Sequence, residues 1–161
     1  MTKIFFLLFA ISLFSVTAYS QNRFVFGGRL GLSVAGGVET SPGFQIGPMG
    51  EYYFNSENNK MAVGTELNIN TQAGTPVEWA NYFKYYIEIH KTDIKPYIDA
   101  GLGLWFYPGG PSLALRFGGG INFLVAPNIY VPADIQLGPV FATGTSVFYF
   151  AITTGIRYEI P

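Results

Sequence analysis

Polar and apolar side chains alternate along most of this chain, and this period of two restricts what the chain can fold into. In the stretch 95–106, one set of alternating positions holds Lys95, Tyr97, Asp99, Gly101 and Gly103, and the other holds Pro96, Ile98, Ala100, Leu102, Leu104 and Phe106. Successive side chains of a β-strand point to opposite faces, so this stretch predicts a strand with one polar and one apolar face. Soluble sheets show the same alternation. Here, however, such segments fill nearly the whole chain and follow a secretion signal, which predicts a barrel with lipid outside and charges inside.

The first residues carry the features of a secretion signal. Lys3 gives the positive start, and residues 4–16 form an apolar run that is too short to span a bilayer as a helix. Ala18 and Ser20 are the small residues that a signal peptidase reads, so we expect cleavage before Gln21, the alternative being an uncleaved anchor. The predicted organisation is a cleaved signal peptide at 1–20 and one β-barrel domain at 21–161.

Composition excludes several classes of site and partner. The chain has no cysteine, so it has no disulfide, no thiolate metal site and no lipid-modified cysteine. Its formal net charge is −1, which gives no indication of a nucleic-acid partner. Although 49% of the residues are hydrophobic, no run after the signal approaches the length of a spanning helix. The apolar residues therefore form either a large soluble core or a membrane face that is spread over many strands.

The alternation predicts eight strands. They are Arg23–Val34, Phe44–Phe54, Lys60–Asn70, Glu78–His90, Ile94–Phe106, Ser112–Leu124, Asn128–Val140 and Val147–Ile160. Each has 11 to 14 residues, which reaches or exceeds the roughly 9–11 residues that a tilted strand needs to cross a bilayer. The sequence therefore predicts an all-β fold, an eight-stranded antiparallel up-and-down transmembrane β-barrel.

The segments between these strands contain residues typical of turns. One set comprises Asn55–Asn59, Lys91–Asp93 and Ala126-Pro127, and the other comprises Ala35–Gly43, Thr71–Val77, Tyr107–Pro111 and Phe141–Ser146. The second set is slightly longer on average. Because outer-membrane barrels have short periplasmic turns and longer outer loops, we assign the first set and both chain ends to the periplasm.

Charges keep to one face of each predicted strand. That face holds Arg29, Glu51, Lys60, Glu66, Glu78, Lys84, Glu88, Lys95, Asp99, Arg116, Asp134, Arg157 and Glu159. Strands with several charges test this independently, because a one-residue slip reverses the face. The charges agree within all four of these strands, so the segregation does not depend on how each strand is phased.

Glycines accompany the charges, and prolines interrupt the pattern. The polar rows hold Gly27, Gly31, Gly47, Gly64, Gly101, Gly103, Gly118, Gly120, Gly138 and Gly155. An eight-stranded barrel is only just wide enough for its inner side chains, so small residues would leave room for long charged ones. Pro48, Pro96, Pro132 and Pro139 each remove a ladder donor, and we expect bulges or strand ends there.

The mature chain resembles the small outer-membrane β-barrel proteins of the OmpX and OmpA-barrel kind. The resemblance covers Arg23 to Pro161 and depends on the strand pattern, including a last strand, 148–158, similar to the targeting strand of that family. It implies a location in the bacterial outer membrane. It also implies two partners, outer-membrane lipid and, during biogenesis, the barrel-assembly machinery.

Opposite charges inside one lumen are expected to pair, because buried charges need partners. The candidate site is a lumen charge network of Arg29, Glu51, Glu66, Lys84, Asp99, Arg116 and Asp134. Our preferred interpretation is a network that plugs the barrel of a structural or surface-interacting protein. The alternative is a narrow, porin-like channel for small solutes, lined by the same residues apart from Arg29.

Two further classes of protein are alternatives to this interpretation. A soluble lipocalin-like barrel would turn its apolar rows inward to bind a lipophilic ligand. An enzyme would need more than the single histidine, His90, which lies at a predicted turn without a neighbouring serine. No phosphate-binding loop or metal-spaced histidine cluster is present, so we predict no enzymatic activity, no cofactor and no catalytic residues.

Overall fold

The computed structural model describes residues 23–36, 41–54, 60–71, 75–89, 92–142 and 144–160. These residues form eight strands. They are β1 (Phe24–Gly36), β2 (Ser41–Tyr53), β3 (Met61–Asn70), β4 (Val77–Tyr86), β5 (Ile94–Tyr107), β6 (Gly110–Ala126), β7 (Ile129–Ala142) and β8 (Thr145–Ile160). The predicted signal peptide and its cleavage site lie outside the described residues.

Each strand pairs antiparallel with its sequence neighbours, and β1 pairs with β8 to close the barrel. Closure leaves no free sheet edge, so every strand has a ladder on both sides. The closing ladder runs from Phe24 opposite Ile160 to Gly36 opposite Phe148. The predicted strand number, order and closure are therefore confirmed.

The barrel is inside out relative to a soluble protein. The buried side chains include nearly all of the strand charges, whereas large apolar side chains are exposed around the outside. Phe44 is 64% exposed, Ile156 is 62% exposed and Ile46 is 59% exposed. A soluble lipocalin-like barrel requires the opposite arrangement, so that alternative is wrong. Among the described residues, no helix is long and apolar enough to cross a membrane.

Most strands extend further into the predicted outer loops than the sequence suggested, whereas β4 ends at Tyr86 and not at the predicted His90. Only residues 108–109 separate β5 from β6, and only 143–144 separate β7 from β8. Gly144 has φ +80°, a conformation that suits a two-residue hairpin turn and that glycine adopts without strain. The connections of the predicted outer set are therefore not longer than those at the end that carries the chain ends.

The prolines do not produce the bulges we expected. The recorded register shift lies between Leu124 and Ala126, away from every proline considered. Pro48, Pro132 and Pro139 instead lie at gaps in the β2–β3, β7–β8 and β6–β7 ladders, across which the register is unchanged. A missing donor can be accommodated in this way because the pairs on both sides of the gap hold the strands in register. Pro96 lies near the start of β5, as predicted for a strand end.

Candidate functional site in the barrel lumen

The predicted charges point into the lumen. Six of the seven are buried, namely Arg29, Glu51, Glu66, Lys84, Arg116 and Asp134, and Asp99 is partly exposed. They reach the lumen because strand parity places them inward and the outward positions between them are almost all apolar. Six of them form two clusters of ion pairs, and Asp99 does not join either cluster through a direct ion pair.

The first cluster is centred on Glu66 of β3. Its carboxylate lies 2.6 Å from Nη1 of Arg29 and 2.5 Å from Nη1 of Arg116. Asn68 also donates to it, at 2.8 Å. One carboxylate thus lies between two guanidinium groups that come from β1 and β6, and this holds the two strands' side chains together across the lumen.

Two further carboxylates complete the first cluster. Asp134 lies 3.1 Å from Nε of Arg29 and accepts a hydrogen bond from Thr153 at 3.3 Å. Glu78 lies 3.6 Å from Nε of Arg116 and accepts a hydrogen bond from the indole of Trp105 at 3.0 Å. Each arginine therefore contacts two carboxylates, which compensates for the loss of hydration on burial.

The second cluster is centred on Glu51 of β2. Its carboxylate pairs with Lys84 at 2.5 Å and with Arg157 of β8. The hydroxyl groups of Tyr82 and Tyr86 each donate to it at 2.9 Å. Such a carboxylate accepts four partners and has little remaining capacity to accept a proton from a substrate.

The two clusters meet at the ring of Tyr82. The Arg29 guanidinium lies 5.8 Å from the centre of this ring, and the Lys84 ammonium lies 5.1 Å from it. The Lys84 ammonium also lies 4.0 Å from the ring centre of Tyr97. Aromatic faces attract cations, so these rings stabilise charge between the clusters.

Each mouth of the barrel has its own set of contacts. At the end that carries the chain ends, Glu159 pairs with Arg23 at 2.8 Å, and this hydrogen bond raises the pKa of the Arg23 guanidinium above its ordinary value. The cleft beside Arg157, Lys95 and Tyr130 is too small to hold a water molecule. At the other end, Trp105 packs edge-on against the ring of Tyr149.

Glycines make room for two of the lumen carboxylates. A Cβ atom on Gly103 would lie 2.7 Å from Oε1 of Glu78. A Cβ atom on Gly118 would lie 2.7 Å from Oδ1 of Asp99. Any side chain at these positions would displace a carboxylate, so the small residues beside the charges have the spatial role that the sequence indicated.

Two charged members of the clusters were not among the predicted site residues. Glu78 and Arg157 are both buried in the lumen and contact Arg116 and Glu51, respectively. Strand parity already placed both in the polar rows, so the signal was present in the sequence. The neutral contributors are Asn68, Tyr82, Tyr86, Trp105, Asn122, Gln136 and Thr153. These carry no distinguishing sequence signal, because polar and aromatic residues are common in strands.

The described residues contain no group of three His, Asp or Glu side chains that could hold a metal ion. His90, which the sequence analysis considered as a catalytic residue, lies outside the described part of the chain. The carboxylates of Glu51, Glu66, Glu78 and Asp134 each lie against a cation, so the lumen is arranged mainly as paired charges.

Solved structures share this architecture. The Neisserial surface protein A, NspA, superposes with a TM-score of 0.75 over 85% of this chain and 97% of its own, at 17% identity. The chain has the fold of the small outer-membrane β-barrels. The N-terminal barrel of Pseudomonas aeruginosa OprF gives a TM-score of 0.52 at 11% identity, covering 82% of this chain and 97% of that domain. A de novo designed transmembrane β-barrel gives 0.51 at 14% identity, covering 83% and 95%.

The sequence itself matches no protein-family model and none of the curated proteins. The identities to the solved structures are low, so the similarity establishes the fold and leaves the activity open. It confirms the fold that the resemblance to OmpX- and OmpA-type barrels implied. Evidence for the function must therefore come from the residues of the lumen.

Proposed function

We propose that this chain is an integral protein of the bacterial outer membrane, with structural or surface-interaction duties and no catalytic activity, whose lumen is plugged by its charge network. The observation that carries the proposal is the pair of ion clusters around Glu66 and Glu51, which together join β1, β2, β3, β4, β6, β7 and β8 across the barrel.

The outer surface supports the membrane location. Monomeric soluble proteins rarely expose continuous apolar patches larger than a few hundred Å², whereas large apolar side chains surround this barrel. The outward rows carry no Lys, Arg, Asp or Glu along the middle of any described strand. A lysine or arginine facing the bilayer centre would cost about 2–4 kcal/mol, so a charge-free belt is what lipid requires.

The balance of lumen charges supports the plug. The central lumen holds four cations, Arg29, Lys84, Arg116 and Arg157, and five carboxylates, Glu51, Glu66, Glu78, Asp99 and Asp134. Ions of either sign would meet groups of both signs and would have to separate existing pairs in order to pass. Breaking one buried pair costs about 3–5 kcal/mol, which opposes conduction.

One observation favours the narrow channel as a second candidate. Nη2 of Arg29, Oδ1 of Asp134 and the hydroxyl of Tyr97 have no hydrogen-bond partner among the described residues. Such atoms are where water would enter a lumen of this kind. In this candidate Glu51, Glu66, Lys84, Asp99, Arg116 and Asp134 would line the path of a small solute.

Single-channel recording in planar bilayers separates the two candidates. The purified full chain is expected to give a flat current. A triple variant, Arg29→Ala, Glu66→Ala and Arg116→Ala, removes the centre of one cluster and is expected to give discrete current steps if it folds. Folding of the triple variant is checked by circular dichroism in lipid vesicles. Steps from the unaltered chain would contradict the plug and support the channel.

Partners follow from the same proposal. Outer-membrane lipid would cover the apolar belt, and the barrel-assembly machinery would insert the chain through its last strand, β8. This strand already closes the barrel against β1. Depletion of the assembly machinery should reduce the amount of folded protein in the outer-membrane fraction, and recovery in the soluble periplasmic fraction without detergent would contradict the location.

A further inference from the structure

The lipid-facing surface carries very few polar groups, and one of them has no partner. Apart from aromatic residues, the outward side chains away from the strand ends that carry a polar group are Thr65, Asn81 and Thr154. Thr65 donates to the carbonyl of Ala80 at 3.1 Å, and Thr154 donates to the carbonyl of Pro132 at 2.8 Å. The side-chain amide of Asn81 makes no hydrogen bond within the described part of the chain.

Asn81 lies halfway along its strand. It is in the middle of β4, opposite Thr65 on β3 and Leu102 on β5. The hydrocarbon core of a bilayer is about 30 Å thick, so polar headgroups do not reach a side chain at mid-depth. An amide without a partner is unfavourable in hydrocarbon. A second polypeptide at the same depth would supply the hydrogen-bonding groups that lipid tails lack.

A recess lies beside the amide. It has a volume of ≈ 830 Å³, and its wall includes Phe26, Phe83 and Leu102. Gly50 and Thr65 also line it and lie in the same row of the sheet as Asn81. At Gly50 a Cβ atom would have its nearest neighbour at 3.9 Å, on the ring of Phe26. The recess thus has room for side chains of a partner. Small residues at such positions let neighbouring backbones approach closely in membranes.

We propose that this face, defined by Gly50, Thr65, Asn81 and the surrounding apolar wall, is where a second copy of the chain binds within the membrane. Two copies inserted in the same orientation place their Asn81 amides at the same depth, and a two-fold axis along the membrane normal brings them together. An amide both donates and accepts, so the two side chains can hydrogen-bond reciprocally. The outward hydroxyls of Thr65 and Thr154 are already bonded, which makes the amide pair the specific contact at mid-depth.

The proposal requires membrane insertion but is independent of whether the lumen conducts. The test measures energy transfer between donor- and acceptor-labelled full-length protein in phosphatidylcholine vesicles, over a series of protein-to-lipid ratios. The unaltered chain is expected to associate as a dimer. Asn81→Leu is expected to weaken the dimer by about tenfold, because it removes the two side-chain hydrogen bonds that the paired amides make within the membrane.

Matched variants show whether the amide and the recess are responsible. Thr154→Val removes an outward hydroxyl that is already bonded and lies on another side of the barrel, and it is expected to leave the dimer unchanged. Gly50→Leu places a bulky side chain in the recess and is expected to weaken the dimer. Because Asn81→Leu replaces a lipid-facing amide with an apolar side chain, it should not destabilise the monomer, which urea unfolding in the same vesicles will show.

Three results would overturn the proposal. The first is a protein that stays monomeric at every protein-to-lipid ratio. This result also counts against the proposal if a bound lipid or a different protein is found on this face. The second is a dimer that Asn81→Leu leaves as strong as before. The third is equal weakening by Asn81→Leu and Thr154→Val. Failure of insertion is detected separately, by loss of the protein from the vesicle fraction, and would refute the proposed membrane location instead.

Discussion

Replacing Glu66 by glutamine should destabilise the barrel strongly. The carboxylate lies 2.6 Å from Arg29 and 2.5 Å from Arg116, and all three side chains are buried. Glutamine keeps the shape and one acceptor but removes the charge. Breaking a buried ion pair by neutralising one partner costs about 3–5 kcal/mol, since the other charge remains buried.

Neighbouring carboxylates limit this loss. Arg29 keeps Asp134 at 3.1 Å, and Arg116 keeps Glu78 at 3.6 Å. We therefore expect the combined effect on both arginines to be about 3–5 kcal/mol, rather than twice that value. A second variant, Glu66→Gln with Arg116→Met, should lose less than the sum of the two single changes, because both single changes break the same Glu66–Arg116 pair.

The assay is reversible urea unfolding of the full chain in lipid vesicles, followed by tryptophan fluorescence. The control is Glu88→Gln, which breaks the ion pair with Lys60 at 2.9 Å. The side chain of Lys60 is 30% exposed and that of Glu88 is 43% exposed. Exposed pairs contribute about 0–1 kcal/mol, so the control should be nearly neutral. Equal losses of under about 1 kcal/mol for Glu66→Gln and Glu88→Gln would refute the reasoning that the lumen is a low-dielectric plug.

Three other expectations can be checked in the same vesicles. Leu102→Arg places a cation on the outward face at mid-depth and should cost about 2–4 kcal/mol in urea unfolding; a neutral result would contradict the lipid assignment. Brominated acyl chains should quench Trp79, which is 39% exposed on the outside, and spare Trp105, which is fully buried, when each is studied as the single tryptophan. Quenching of both would mean that lipid or its quencher reaches the lumen. Gly118→Val forces a Cβ atom to within 2.7 Å of the carboxylate oxygen Oδ1 of Asp99 and should cost about 1–3 kcal/mol. Gly50→Val, whose Cβ has its nearest neighbour at 3.9 Å, should be close to neutral, and equal effects would contradict the crowding argument.

Much of the fold could be predicted because strand parity is a local property. The face on which Arg29 or Glu51 lies depends only on counting residues along one strand. Turn positions were less predictable, since the strands continue through predicted loops wherever a two-residue hairpin suffices, as at 108–109. The prolines were misjudged for a related reason. Whether a missing donor produces a bulge depends on the ladders on both sides, which a single strand does not reveal.

The partners within the lumen were not predictable from register. Lys84 lies directly opposite Asp99 in the β4–β5 ladder, yet its ammonium pairs with Glu51 of β2. A long side chain in a narrow barrel reaches past its ladder neighbour, so the nearest residue on the sheet is not its partner. Asn81 was missed for the opposite reason, because a single polar residue in an apolar row looks like noise until its exposure is known.

The sequence alone determined the strands, their inward and outward faces and the closed barrel. The period-two pattern gives every strand one charged face, which a closed barrel encloses, and one apolar face, which lies outside. The tertiary structure decided which charges meet. The closed barrel brings side chains from all eight strands into one lumen. Contacts such as that of Arg157 with Glu51, which join residues far apart in the chain, exist only after closure. It also decided that Asn81 faces outward with no hydrogen-bond partner among the described residues, because this depends on which groups the neighbouring strands place beside it.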